Sequence, residues 1–299
     1  MKKIIIAGGK GFLGQVLKTH FTKQNYTVLI LSRQPKSENE IYWNGSELGD
    51  WTKHLENADA LINLSGKSVD CRYTDKNKKA IYNSRIDTTN LLGLAVNLCD
   101  NPPKYWFNSS TATIYKESLD TPNIEQNGII GDDFSMNIAK SWEQTFNAIT
   151  TPKTKKVILR TSIVLGKNGG AIIPLKQLTR FGLGGKQPSG QQKVSWIHED
   201  DFTSAIQFLM EQKLEGVFNL CVPQPTDNKT LMQSLRHVLK VPFGISHPLW
   251  LLKLGAFFIG TETELVTKSR NVLPEKLLQH GFIFKFENIK TALENVLKK

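Results

Sequence analysis

Residues 3 to 14 read KIIIAGGKGFLG, from Lys3 to Gly14, and their order decides the fold. Ile4, Ile5, Ile6 and Ala7 form an apolar run with no polar alternation, the pattern of a strand covered on both faces. Gly8, Gly11 and Gly14 follow at G-x-x-G-x-x-G spacing, and an amphipathic helix is expected from Phe12 to Gln24. Strand, glycine turn and helix in immediate succession form the opening of a dinucleotide-binding βαβ unit. Gly8 permits the tight turn, Gly11 lets backbone approach a pyrophosphate, and Gly14 allows the helix to pack closely on the strand. At Phe12 and Leu13 the helix N-terminus offers free N–H donors and the positive end of its dipole. Gly8, Gly11, Phe12, Leu13 and Gly14 are therefore the first expected cofactor-binding residues.

The end of the second strand sets cofactor choice, because NAD binders usually place a carboxylate there for the ribose hydroxyls. Here the chain reads Leu31-Ser32-Arg33. Arg33 can form a charge-assisted fork with a 2′-phosphate, and Ser32 can add a hydrogen bond. The expected cofactor is NADP; the competing reading of Arg33 is a solvated loop charge.

Outward from this unit, short apolar runs alternate with amphipathic stretches. Strands are expected over Lys3–Ala7, Thr27–Leu31, Ala60–Leu64, Tyr105–Ser109 and Lys156–Arg160, and helices over Phe12–Gln24, Lys76–Leu98 and Ser135–Ile149. The fold class is α/β: a doubly wound parallel Rossmann-type sheet with a smaller, mostly helical C-terminal substrate region. Residues 1–165 form the NADP-binding part, its sheet completed by later segments, and residues 166–299 the substrate-pocket and C-terminal region. Past Gly166 the chain turns glycine-rich and is expected to fold over the C-terminal edge of the sheet. A strand-like VSWIH and a helix from Asp200 to Gln212 come next.

The 299 residues include three cysteines, Cys71, Cys99 and Cys221, too scattered for a disulfide framework or a zinc site. No metal ligand set is expected, and a reducing, cytoplasmic compartment fits best. The longest apolar stretch, Pro248 to Gly260, contains Lys253 and is shorter than the roughly 20 residues of a membrane span, so a buried helix is expected there. The formal charge of +11 comes from scattered lysines rather than a stripe, which argues against nucleic acid and suits an anionic ligand.

Together, GGKGFLG at 8–14, ADALINLSG at 58–66, SSTATIY at 109–115, LRTSIVLGKNGGAI, GLGG, WIH with Asp201, and LPEKLLQHGFIFKF resemble one group of proteins over essentially the whole chain. They are similar to the extended short-chain dehydrogenases/reductases, and among these to an atypical epimerase-like family carrying a C-terminal domain of unknown function. That resemblance implies that Leu64, Ser65 and Gly66 line the ribose and pyrophosphate side of the cofactor, the alternative being that Ser65 and Gly66 simply end a strand, and that Ser109 ends a strand over the nicotinamide or is a structural strand-end hydroxyl. It also implies a hydroxyl at Thr111 and a Tyr-x-x-x-Lys pair, the tyrosine moving the proton and the lysine gripping the nicotinamide ribose. The tyrosine position falls on Met136, whose thioether has no proton to transfer, and the lysine position falls on Lys140. Lys140 then either holds the ribose or is a plain surface lysine. Tyr115 substitutes as proton donor if its ring enters the crevice, or else helps to close the pocket.

Arg85 stands where relatives often have the asparagine opening an N-x-x-G-T motif. Pointing inward it neutralises a substrate anion; pointing outward it pairs with a carboxylate. Gly169, Gly170 and Trp196 suit a small-molecule cleft, and His198 is expected to pin a loop to Asp201 rather than to titrate. Two functions stay open: an NADP(H)-dependent epimerase or oxidoreductase acting on a small, nucleotide-linked substrate, or an NADP(H)-binding regulatory protein with little chemistry. The expected partner is a small molecule, with no nucleic acid and no membrane, and a homodimer is left open.

Overall fold

The computed structural model describes residues 2–187, 189–246 and 268–298. Strand β1 (Lys3–Ala7) lies at the centre of a seven-stranded sheet between β2 (Thr27–Ser32) and β4 (Ala60–Asn63). Outside β2 lies β3 (Glu40–Tyr42); beyond β4 come β5 (Tyr105–Thr111), β6 (Lys155–Thr161) and β10 (Gly216–Leu220). Every neighbouring pair is parallel. The chain winds outward through β2 and β3, then returns to the other side of β1 for β4, so the topological switch lies between β1 and β4. Ligands of doubly wound sheets bind outside the carboxyl ends of the strands at such a point.

The apolar run of β1 has a direct physical reason. Ile4 and Ile6 pack in one layer with Leu17 and Phe21 of α1 (Phe12–Lys23), while Ile5 and Ala7 pack in the other with Leu92 and Val96 of α2 (Asp75–Asn97). Both faces are covered, so alternation with polar residues would bury unpaired groups. The five strands expected from apolar runs are all present within two residues of their expected limits. Helix α3 (Phe134–Ala148) packs on α2.

The later chain adds β7 (Ile163–Leu165) paired with β9 (Trp196–His198), a short pair of β8 (Lys193–Val194) with β11 (Thr226–Asp227), and a helical layer. In that layer α4 (Ile172–Arg180), α6 (Asn228–Leu239) and α8 (Ile289–Leu297) enclose a separate core, while α5 (Glu199–Glu211) packs on α1 and α7 (Glu275–Gln279) on β10. The helix expected over Pro248–Gly260 lies outside the described residues. Among the described residues no helix is long and apolar enough to cross a membrane.

Candidate functional site

The crevice is built first from glycines. Gly8 has φ +73°, and a Cβ there would lie 2.9 Å from the Cα of Ser65, so both conformation and space require glycine. Gly11 is exposed, and a Cβ on it would meet nothing within 4 Å. It is also the N-cap of α1, with no side-chain cap and no acidic residue in the first turn. The first N–H groups of that helix are thus left without a side-chain acceptor at an open, electropositive end. Phe12 and Leu13 turn their side chains into the core, so what they can offer a ligand is backbone N–H. The Phe12 ring is covered by the segment after β7: a Cβ on Gly169 would stand 2.5 Å from ring carbons. Gly166 and Gly170 crowd the same ring, which seats the glycine-rich segment over the start of α1.

On the β2 side, Ser32 is buried and its Oγ accepts from the Gln34 N–H at 3.1 Å, shaping the turn. Arg33 is exposed and has no partner among the described residues. Lys10, which the sequence reading passed over, donates from Nζ to the Gln34 carbonyl at 2.7 Å and to Glu40 Oε2 at 2.8 Å. The hydrogen bond from Lys10, with a second from the Lys36 N–H, holds the Glu40 carboxyl below its ordinary range. A lysine inside the glycine turn was the available signal.

At the end of β4, the Leu64 N–H donates to the Ala7 carbonyl at 2.9 Å, and the Ser65 N–H donates to Asn63 Oδ1 at 3.0 Å. The Ser65 hydroxyl is buried with no hydrogen-bond partner among the described residues, a polar atom left orphaned beside Gly8. Gly66 abuts the guanidinium of Arg85.

The residues of the expected catalytic set stand at the end of β5 and on α3, elements that pack against each other. Thr111 ends β5 half-buried, its Oγ1 accepting from the Thr113 N–H at 3.1 Å to cap a short turn. Ser109 is half-buried, whereas Ser110 points inward and donates to Glu143 Oε1 at 2.5 Å. Met136 is buried on α3, and Lys140, one turn further, is half-buried with no partner among the described residues.

Tyr115 requires a correction. It is 1 % exposed, and its hydroxyl donates to Asn219 Oδ1 at 2.9 Å while accepting from Arg160 Nη1 at 2.8 Å. β6 and β10 supply the partners that hold the hydroxyl inside the protein, so the side chain is not free to act as a proton donor at an open surface. Burial pushes the phenol above its ordinary range, partly offset by Arg160. Arg160 is in turn held bidentately by Glu143, Nε to Oε1 at 2.9 Å and Nη2 to Oε2 at 2.7 Å. Burial works to lower the Arg160 pKa, but Glu143 and Tyr115 together hold it above the ordinary value.

Two downstream expectations are also corrected. Trp196 sits in the C-terminal core with Leu165, Val222 and Leu235 and does not wall a cleft. His198 pins α5, but not through Asp201: Nδ1 accepts from the Asp200 N–H at 3.0 Å and Nε2 faces Asn295 Oδ1 at 3.1 Å. Its ring stacks on Phe286 at 3.8 Å, and burial lowers its pKa to about 4. Asp201 instead accepts from the backbone N–H groups of Lys285 and Phe286, at 2.8 and 2.9 Å.

An open helix terminus after β1 and an orphan hydroxyl after β4 lie at the switch point of a doubly wound parallel sheet. The fold around them is Rossmann-type, of the extended short-chain dehydrogenase/reductase kind. The chain belongs to the NAD dependent epimerase/dehydratase family, whose model matches residues 4–221. Residues 247–296 match a domain of unknown function, DUF1731. Epimerase family proteins of Staphylococcus epidermidis and Staphylococcus aureus are each 32% identical, with both chains covered completely. The crystal structure of the human epimerase family protein SDR39U1 (isoform2) with NADPH is similar at a TM-score of 0.90 and 26% identity, covering 99% of each chain. A UDP-N-acetylglucosamine 4-epimerase from Bacillus cereus shares the fold, with a TM-score of 0.77 and 18% identity over 99% of this chain and 95% of that one.

Proposed function

We propose that this protein binds NADP(H) and acts as an epimerase or oxidoreductase on a small substrate, nucleotide-linked in the simplest case. The observation that carries the reading is Gly11: the one glycine of the turn that meets no protein atom caps a helix end that has no other cap. A diphosphate supplies the acceptors that this end lacks. Three further features fit the group: the orphan Ser65 hydroxyl, the unpartnered Arg33 beside the turn made by Ser32, and Lys140. The NADPH named with the human relative supports the choice of NADP over NAD.

When bound, the nicotinamide supplies hydride transfer. Gly8 and Gly11 with the N–H groups of Phe12 and Leu13 hold the diphosphate, Gly14 lets the helix pack close enough to present them, and Arg33 and Ser32 hold a 2′-phosphate. Leu64, Ser65 and Gly66 bound the ribose side. Lys140 grips the nicotinamide ribose, and Ser109 and Thr111 present hydroxyls at the end of β5. Residues 1–165 carry this cofactor site, and the later chain covers it.

Two features favour a second reading, a cofactor-binding protein with weak catalysis: the family resemblance puts buried Met136 at the proton-transfer position, and the Tyr115 hydroxyl is already shared by Arg160 and Asn219. Fluorescence titration of the purified protein with NADPH and NADH tests the common part. Absence of binding by both overturns the proposal, and turnover assays with nucleotide sugars then divide the two readings.

A further inference from the structure

We propose that Arg85 is an oxyanion-binding residue of the crevice, placed to hold a phosphate or carboxylate of the substrate. The inference rests on the reading above that the crevice takes a dinucleotide and a small substrate. On α2, Arg85 and Thr89 stand one turn apart and meet the same residue of α3. Trp142 donates from Nε1 to Thr89 Oγ1 at 2.9 Å, and the Arg85 guanidinium lies 5.0 Å from the Trp142 ring centroid. Gly66 abuts the group so closely that a Cβ there would be 3.0 Å from Arg85 Cζ. Nη1 donates to the carbonyls of Lys67 and Ile81, both at 3.0 Å. The planar group is therefore fixed in place by stacking and by two backbone acceptors.

What it lacks is an anion. Among the described residues Nε and Nη2 have no partner and no carboxylate pairs with the side chain. A guanidinium carries five donors, so three remain for a ligand. Bracing the loop through Lys67 uses Nη1 alone, and a neutral amide donor would do that without the desolvation penalty of a charge. Burial without a counter-charge lowers the Arg85 pKa to about 10, in the direction that an arriving anion would reverse.

Its place selects the substrate rather than the cofactor as the source of the anion. Gly66 follows Ser65, which packs against Gly8, so Arg85 borders the crevice beyond the pyrophosphate turn. The diphosphate already has the α1 N-terminus. A fixed guanidinium fork matches phosphate and carboxylate bidentately, which a lysine at this position would not.

The test uses the full chain saturated with NADPH, titrated calorimetrically with UDP, inorganic phosphate and succinate. At least one of these anions is expected to bind, and Arg85→Gln is expected to weaken it tenfold or more while NADPH affinity stays within threefold. Arg85→Lys, which keeps the charge but not the fork, is expected to recover only part of the loss and serves if Arg85→Gln does not fold. No binding of any of the three anions, or equal binding by the variants, overturns the proposal. So does a tenfold loss of NADPH affinity in Arg85→Gln, which would assign the guanidinium to the cofactor diphosphate. If the parent protein binds no NADPH, the cofactor reading fails separately. The same anion titration of that protein and its variants then still supports Arg85 if binding is lost on substitution and overturns it if binding is unchanged.

Discussion

A Cβ on Gly14 would lie 2.2 Å from the carbonyl oxygen of Gly9, so α1 can approach the end of β1 only while position 14 has no side chain. Gly11 lies between them and faces open space. One glycine serves the packing, the other the ligand. Gly14→Val is expected to destabilise the protein by about 1–3 kcal/mol through overpacking and to lose dinucleotide binding with it. Gly11→Val, at an extended N-cap with room for the side chain, is expected to stay within about 1 kcal/mol of the parent. It should nevertheless weaken NADPH at least a hundredfold by blocking the diphosphate. Thermal unfolding and fluorescence titration of the pair measure both effects; retained NADPH binding by Gly11→Val would put the cofactor elsewhere.

Cofactor choice turns on Arg33, exposed and unpartnered among the described residues. Arg33→Ala is expected to remove most of a preference for NADPH over NADH, a loss of about 1.5–3 kcal/mol or roughly ten- to a hundredfold in affinity. NADH affinity should hardly move. A parent protein that binds both cofactors equally would show that no 2′-phosphate is held here.

The sheet was legible where one physical cause acts alone. β1 could be read to the residue because two covered faces demand an unbroken apolar run. β10 reads GVFNL, and its buried Asn219 looks out of place until Tyr115 and the Leu273 carbonyl, from distant segments, satisfy it. β3 is three residues long at the sheet edge and has too little buried surface to leave a pattern. The tight turn at Gly8 was legible from its spacing after β1, and its positive φ has that local cause. The fate of Tyr115 was not, because its partners Arg160 and Asn219 lie 45 and 104 residues away.

The Glu143–Arg160 pair is nearly sealed, with side-chain exposures of 8% and 10%. Removing one partner leaves the other charge buried, so Glu143→Ala is expected to cost about 3–5 kcal/mol in urea unfolding. Tyr115→Phe removes one acceptor and one donor from the same network and should cost about 1–3 kcal/mol. Equal, negligible losses for the two variants would mean that water replaces the network freely.

His198 makes stability depend on pH in a defined sense. Burial lowers its pKa from 6.5 to about 4, so between these values the unfolded chain holds a proton that the folded chain does not. Its contribution is complete above pH 6.5 and falls as the pH drops toward 4. The shift corresponds to about 3 kcal/mol at its limit. Glu199 and Asp201, whose burial raises their pKa values, act in the opposite sense, as does the pull of Asp200 on the imidazole. Comparison with His198→Gln isolates the histidine: the variant should lose less stability than the parent on acidification from pH 6.5 to 4. Parallel pH profiles would show that the imidazole protonates in place.

Resemblance to the short-chain enzymes puts Met136 where their proton-transferring tyrosine stands. Its thioether is buried beside Gly131 and transfers no proton, and the hydroxyl of Tyr115, the expected substitute, is engaged inside the protein. Hydride transfer without a positioned acid or base forgoes about 10²- to 10⁴-fold in rate. Turnover of ordinary nucleotide-sugar substrates is therefore expected to be weak, and Tyr115→Phe should leave any residual rate within threefold. Met136→Tyr alone should restore little, because a Cβ on Gly131 would already stand 2.0 Å from the Met136 sulfur and a larger ring must displace that turn. Lys140→Met should instead act on the cofactor, lowering NADPH affinity about tenfold through loss of one charge-assisted hydrogen bond to the ribose. Steady-state rates and cofactor titrations on the four proteins separate these effects. Vigorous turnover by the parent that disappears in Tyr115→Phe would show that the hydroxyl leaves Arg160 and Asn219 to reach the substrate, and would overturn the weak-catalyst reading.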